Sequence, residues 1–165
     1  MFGTTVLARA EDGAQHGVAP APVVCRGIRG AILAEANTAE AILEATQALL
    51  GALVEANGVE PDDLASAIFT TTPDLTEAFP ARAARLLGWT EVPLLGAVEM
   101  DHPTAPGRCI RVLLHWNTAR RPGEIRHVYL RGAEILRASP VCQGPEITGN
   151  RRTAAANPAA AAGDR

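Results

Sequence analysis

An α/β domain with a mixed sheet, in the order β-α-β-α-β-β, is the fold class that this sequence predicts. Three observations lead there. Short β-branched runs alternate with stretches of helical periodicity, and Gly, Pro and Asn punctuate the joins. A chain of 165 residues with 47% hydrophobic content suffices for one core and not two.

Residues 1–22 are rich in Ala, Gly and Pro and lack periodicity, so they read as a disordered N-terminal extension. The folded domain is expected over residues 23–137. Residues 23–31 form the first strand. Asn37 then reads as a helix N-cap, with Glu40 three residues on completing a capping-box-like start. Ile42, Leu43, Leu49, Leu50, Leu53 and Val54 follow at helical spacing, and Asn57-Gly58 supplies the stop. Pro61-Asp62-Asp63 opens a short turn. Residues 64–72 form a second strand that leaves at Pro73. A second helical region covers residues 74–87, broken by Pro80 and ended by Gly88. Residues 93–100 and 108–116 are the third and fourth strands, joined by a turn-rich loop. Residues 126–137 hold a final turn and a strand, and residues 138–165 read as a flexible tail. Two main helices cover only one face of such a sheet, so the other face is expected to meet further copies of the chain.

The charge balance narrows the partners. A net charge of −3 and a pI of about 5.8, with no basic stripe between residues 23 and 137, argue against a nucleic-acid groove. No stretch is long and apolar enough for a membrane span, and the start lacks the basic n-region of a signal peptide. Cys25, Cys109 and Cys142 are widely spaced without a C-x-x-C pair, which fits a reducing cytoplasm. His16, His102, His115 and His127 are scattered, and no pair has metal-ligand spacing.

Position therefore carries the functional argument. Arg26 and Arg29 lie in Cys25-Arg26-Gly27-Ile28-Arg29-Gly30-Ala31, and Arg111 lies in Cys109-Ile110-Arg111-Val112. Each run is apolar and strand-like, and an unpaired guanidinium is costly to bury there. The expectation is a pocket that receives an anionic ligand.

Further segments occur in one order: Thr72-Pro73-Asp74-Leu75, Phe79-Pro80-Ala81-Arg82-Ala83-Ala84-Arg85, Gly88-Trp89, Val92-Pro93, Glu99-Met100-Asp101 and Ile125-Arg126-His127-Val128-Tyr129-Leu130. Together with the two arginine runs they closely resemble the monofunctional chorismate mutases of the trimeric α/β (AroH-type) class, over about residues 25–137. The resemblance implies a pseudo-α/β-barrel homotrimer with active sites in clefts between subunits. It also implies an isomerase that converts chorismate to prephenate by a Claisen rearrangement, in the route to phenylalanine and tyrosine, with no metal or organic cofactor.

Matched position by position, the resemblance makes Arg111 the arginine on the breaking ether oxygen and a carboxylate, and Arg29 a carboxylate-binding arginine. Tyr129 matches a tyrosine that hydrogen-bonds a carboxylate, and Glu99 a glutamate that holds the ring hydroxyl. Phe79, Arg85 and Leu136 match residues that line or flank the cleft from the neighbouring subunit. Arg137 matches a nearby arginine, and Arg82 stands where a lysine is common and would steer the dianion. Where the family often has Thr-Cys before the glutamate, this chain has Leu95-Gly96, so only backbone groups of Leu95, Gly96, Ala97 and Val98 could face the substrate. One residue fewer separates Arg85 from Gly88 than the family pattern has. The first part of the tail is expected to close over the occupied cleft.

Two other readings compete. An imine or enamine deaminase shares the trimeric sheet-and-helix architecture but would lack the ordered Phe-Pro-Ala-Arg and Cys-Ile-Arg-Val segments. A non-catalytic sensor of an aromatic-pathway metabolite would be consistent with Leu95-Gly96.

Overall fold

The computed structural model describes residues 21–138. The expected extension and tail, with the tail's closure over the site, lie outside the described residues except at their inner ends. Five strands and three helices follow one another: β1 (Val24–Leu33), α1 (Ala39–Asn57), β2 (Leu64–Thr71), α2 (Ala81–Leu86), β3 (Leu94–Val98), β4 (Cys109–Thr118), β5 (Val128–Leu130) and α3 (Ile135–Ala138). Single 3-10 turns at Pro61–Asp63 and Pro122–Glu124 precede β2 and β5. The sheet order is β3-β2-β4-β1-β5. β4 runs antiparallel to both neighbours, while β2–β3 and β1–β5 are parallel. The mixed α/β class follows from this arrangement.

Register separates the two faces of the sheet. Ile28, Gly30 and Ile32 of β1 pair with Leu114, Val112 and Ile110 of β4. All six are buried, because α1 packs over them. Ile42, Ala45, Thr46, Leu49, Leu50 and Leu53 form the buried stripe of α1 at three- and four-residue spacing. Gly30 is where the helix comes closest, since a Cβ there would lie 2.8 Å from Leu53 Cδ1 and 3.1 Å from Leu49 Cδ1.

The alternate residues of the same strands face away from α1. Along β4 the pattern is strict: Val112, Leu114 and Trp116 are buried, whereas Arg111, Leu113 and His115 are half-buried and Asn117 is exposed. Of the described helices only α3 reaches this second face, where Leu136 and Ala133 pack against Ala31 and Cys109, and the rest of the face is left uncovered.

Several elements depart from expectation. Thr38, not Asn37, caps α1, its hydroxyl accepting from the Ala41 N–H at 3.2 Å. Asn37 is committed elsewhere: its Oδ1 accepts from the backbone N–H groups of Thr76 and Glu77 at 2.8 and 3.3 Å. The second helix is only Ala81–Leu86, because Asp74 accepts the Arg108 N–H at 2.8 Å and anchors a loop instead. Strand β1 runs on to Leu33, and β4 to Thr118. The stop at Gly58 is as expected, with φ of 64° in the left-handed region. Just before it, Asn57 clamps Arg126 in both directions at 2.8 Å and so fixes the entry to β5.

Candidate active site

On the uncovered face, two cross-strand rows bring the chemistry together. Arg29 on β1 pairs with Leu113 on β4, which pairs with Ile68 on β2. One row along, Thr70, Arg111 and Ala31 align across β2, β4 and β1, and Ala31 pairs with Tyr129 on β5. Cross-strand partners share a face, so these side chains surround one space. It is a cleft of about 270 Å³, to which Glu99 and Leu136 also contribute.

Glu99 enters from just beyond β3. Its N–H donates to Thr71 O at 2.8 Å, which extends the parallel ladder by one step and turns its carboxylate over Thr70. Arg111 Nη1 donates to Glu99 Oε2 at 3.2 Å, and the Thr70 hydroxyl donates to Glu99 Oε1. The Arg111 and Glu99 side chains are 38% and 20% exposed, so water screens the pair and its net worth is small. The single contact leaves further Arg111 donors to meet a bound anion beside Glu99. Among the described residues no carboxylate pairs with Arg29.

The structure corrects the expectation that these arginines are buried. Arg29 is exposed and Arg111 only half-buried in the protomer, because both stand on the face that α1 does not cover. Arg26 precedes Arg29 on β1, and its Nε donates to the Arg120 carbonyl at 3.2 Å.

Arg29 is held from below. Its backbone N–H donates to His127 Nδ1 at 3.1 Å, so the imidazole ring extends the β1–β5 ladder by one position. This requires a neutral ring with its proton on Nε2. Burial holds the His127 pKa below its ordinary value, and the charges of Arg29 and Arg137 push the same way. Protonation on acidification removes the acceptor, so Arg29 loses the backbone hydrogen bond that positions it. Apparent affinity for an anionic substrate should thus be level above the ordinary histidine range and weaken only below it. A pH series of kcat/KM on the wild type and on His127→Gln measures this; an acid limb of the same shape in both would contradict it.

Cys109 lies buried beneath the site, and burial raises its thiol pKa, only partly countered by Arg111. It remains a protonated, enclosed thiol and is no nucleophile.

Of the expected site residues, the structure gathers Arg29, Glu99, Arg111, Tyr129 and Leu136 in one cleft. Leu136 reaches it from the same protomer, on α3, rather than across a subunit boundary. Leu95, Gly96, Ala97 and Val98 lie on the edge strand β3, next to the cleft but not among its walls. Phe79 and Arg85 do not reach it within the protomer. Phe79 is 83% exposed, and Arg85 Nη1 donates to the Trp89 and Thr90 carbonyls. Thr70, Ile68 and Leu113 also line the cleft, and sequence reasoning missed all three. Alternation from Arg111 could have placed Leu113, but Thr70 and Ile68 depend on strand register, which no local pattern reveals.

Fold and cleft together define a mixed α/β protein whose cleft, on one face of its sheet, gathers two guanidinium groups, a carboxylate and a phenol, with no activated nucleophile among the described residues. Comparison with known proteins gives this class a family. The sequence profile of chorismate mutase type I matches residues 25–139. Chorismate mutase AroH of Thermus thermophilus is 54% identical over 113 residues, covering 68% of this chain and 93% of the relative. Chorismate mutase AroH of Bacillus subtilis (strain 168) is 41% identical over 116 residues, covering 70% and 91%. A solved chorismate mutase structure from Clostridium thermocellum superposes with a TM-score of 0.66 at 48% identity, covering 67% of this chain and 98% of that one. The chain belongs to the type I, AroH-type chorismate mutase family, whose enzymes are isomerases.

Proposed function

We propose that this chain rearranges chorismate to prephenate in the cleft between Arg29, Arg111, Glu99 and Tyr129, as a step toward phenylalanine and tyrosine in the cytoplasm. The observation that carries this reading is the convergence of two guanidinium groups, one carboxylate and one phenol on a single sheet face. That set suits a dianion bearing a ring hydroxyl. The reaction breaks the ether C–O bond as a C–C bond forms within the same molecule. No proton moves and nothing leaves, so the site needs no acid, base or nucleophile.

The residues then have two tasks. Arg29 and Tyr129 bind carboxylate and hold the flexible side chain over the ring, while Glu99 accepts from the ring hydroxyl; this is catalysis by orientation. Arg111 stands where charge grows on the ether oxygen as C–O cleavage runs ahead of C–C formation. A fixed cation there stabilises the transition state more than the ground state.

We further propose that the active species is a homotrimer of the domain spanning residues 23–137. Apart from the corner that α3 reaches, the described helices leave the second sheet face open, and Phe79, Val98 and Met100 are 83%, 69% and 86% exposed. In the trimer Phe79 and Arg85 of one subunit would reach the neighbour's cleft, beside backbone groups of Leu95, Gly96, Ala97 and Val98. Light scattering should return three times the 17.2 kDa chain mass; an active monomer would refute the assembly.

The pathway role has its own test. A strain that needs phenylalanine and tyrosine because it lacks chorismate mutase should grow without both when it expresses this chain. Failure to grow, with soluble protein present, would count against the role.

A further inference from the structure

We infer that Thr70 is a positioning residue whose hydroxyl divides the Glu99 carboxylate, so that Arg111 keeps donors free for substrate. The inference rests on the mutase reading and extends it to a residue outside the charged set.

Two ion pairs among the described residues differ in a telling way. Arg131 grips Glu44 with both terminal nitrogens, one to each carboxylate oxygen, at 2.7 Å each. This is the preferred fork-to-fork geometry of guanidinium and carboxylate. Arg111 and Glu99 are also adjacent, yet a single Nη1–Oε2 contact joins them, at 3.2 Å. The other oxygen, Oε1, is taken by the Thr70 hydroxyl.

Thr70 can hold that oxygen because of where it stands. It is the direct cross-strand partner of Arg111 and of Ala97, inside the sheet between β3 and β4. Its β-branched side chain has few rotamers, so the hydroxyl is well fixed. The Glu99 backbone is tied to Thr71 O at 2.8 Å, which leaves the carboxylate short of freedom once Oε1 is held.

The consequence concerns both charged residues. Without the hydroxyl, Oε1 is free to turn toward Arg111, and the pair should close into the geometry that Arg131 and Glu44 show. A closed pair occupies the donors that would meet the ether oxygen and carboxylate. It also turns Glu99 away from the ring hydroxyl.

Thr70→Val keeps the shape and removes the hydroxyl, whereas Thr70→Ser keeps the hydroxyl. Thr70→Val should lower kcat/KM by about 10- to 100-fold, the usual effect of losing a hydrogen bond to a charged group, with kcat falling as well as KM rising. The unfolding midpoint should stay near wild type, and Thr70→Ser should remain within about threefold of wild-type kcat/KM. In a Glu99→Ala background Thr70→Val should change kcat/KM by less than about twofold, because Thr70 acts through Glu99. Wild-type kcat/KM in Thr70→Val, or an equal loss in both backgrounds, would overturn the inference. A wild-type chain that leaves chorismate unchanged would instead sink the mutase reading. The crystal structure of Thr70→Val then decides the role of Thr70: a two-armed Arg111–Glu99 pair supports it, and an unchanged single contact overturns it.

Discussion

Arg111→Ala is expected to lower kcat by about a thousandfold or more while leaving the fold intact, since removal of even one neutral donor at a developing oxyanion commonly costs about 100- to 1,000-fold. Arg111 is half-exposed and makes one screened contact to Glu99, so its loss opens no core cavity. Arg111→Lys should also be severely impaired. A lysine offers a point charge, and cannot touch Glu99, an ether oxygen and a carboxylate in one plane as a guanidinium can. Steady-state kinetics with circular dichroism as the folding control would measure both variants. A near-normal rate in a folded Arg111→Ala protein would remove the mechanistic core of the proposal.

Gly30→Val should destabilise the fold far more than Arg111→Ala or Thr70→Val. A Cβ at this position already meets Leu53 and Leu49 of α1, and lies 3.2 Å from Val112 Cγ1. All three neighbours are buried in the main core, so none can swing into solvent. Overpacking of this kind costs about 1–3 kcal/mol for small insertions, and valine adds two further methyl groups. Against a typical total of about 5–15 kcal/mol, the variant should be mostly unfolded at its normal working temperature or melt many degrees lower. Gly30→Ala should show a milder drop, partly offset because the unfolded chain loses freedom. Thermal melts followed by circular dichroism would check the order. An unchanged midpoint for Gly30→Val would mean that α1 does not press on the sheet at this point. The effect matters for function because Arg29 and Ala31, on either side, face the cleft.

Much of the fold could be read from the chain because local signals and tertiary demands agree. The stripe from Ile42 to Leu53 and the stop at Gly58 define α1 from sequence alone. Where they failed, a distant partner had intervened. Asn37 is as good a cap as Thr38, and only its contacts to Thr76 and Glu77, 39 and 40 residues away, remove it from that role. Asp74 likewise looks like a helix start until Arg108 claims it. At the site, the ordered segments pointed to Arg29, Glu99, Arg111 and Tyr129, and the fold brings all four to one cleft. Thr70 stayed hidden in the run Thr70-Thr71-Thr72, three identical side chains of which only strand register selects Thr70 as the partner of Arg111. The exposure of both arginines was also unreadable, since which face α1 covers is a property of the assembled sheet.

The most direct test of the central claim is to incubate the purified wild-type chain with chorismate and follow substrate and product together, by loss of ultraviolet absorbance and by proton NMR. The expected result is saturable, one-for-one conversion to prephenate with no added metal or cofactor. A correctly folded protein that leaves chorismate unchanged, or turns it into anything other than prephenate, would contradict the proposed function.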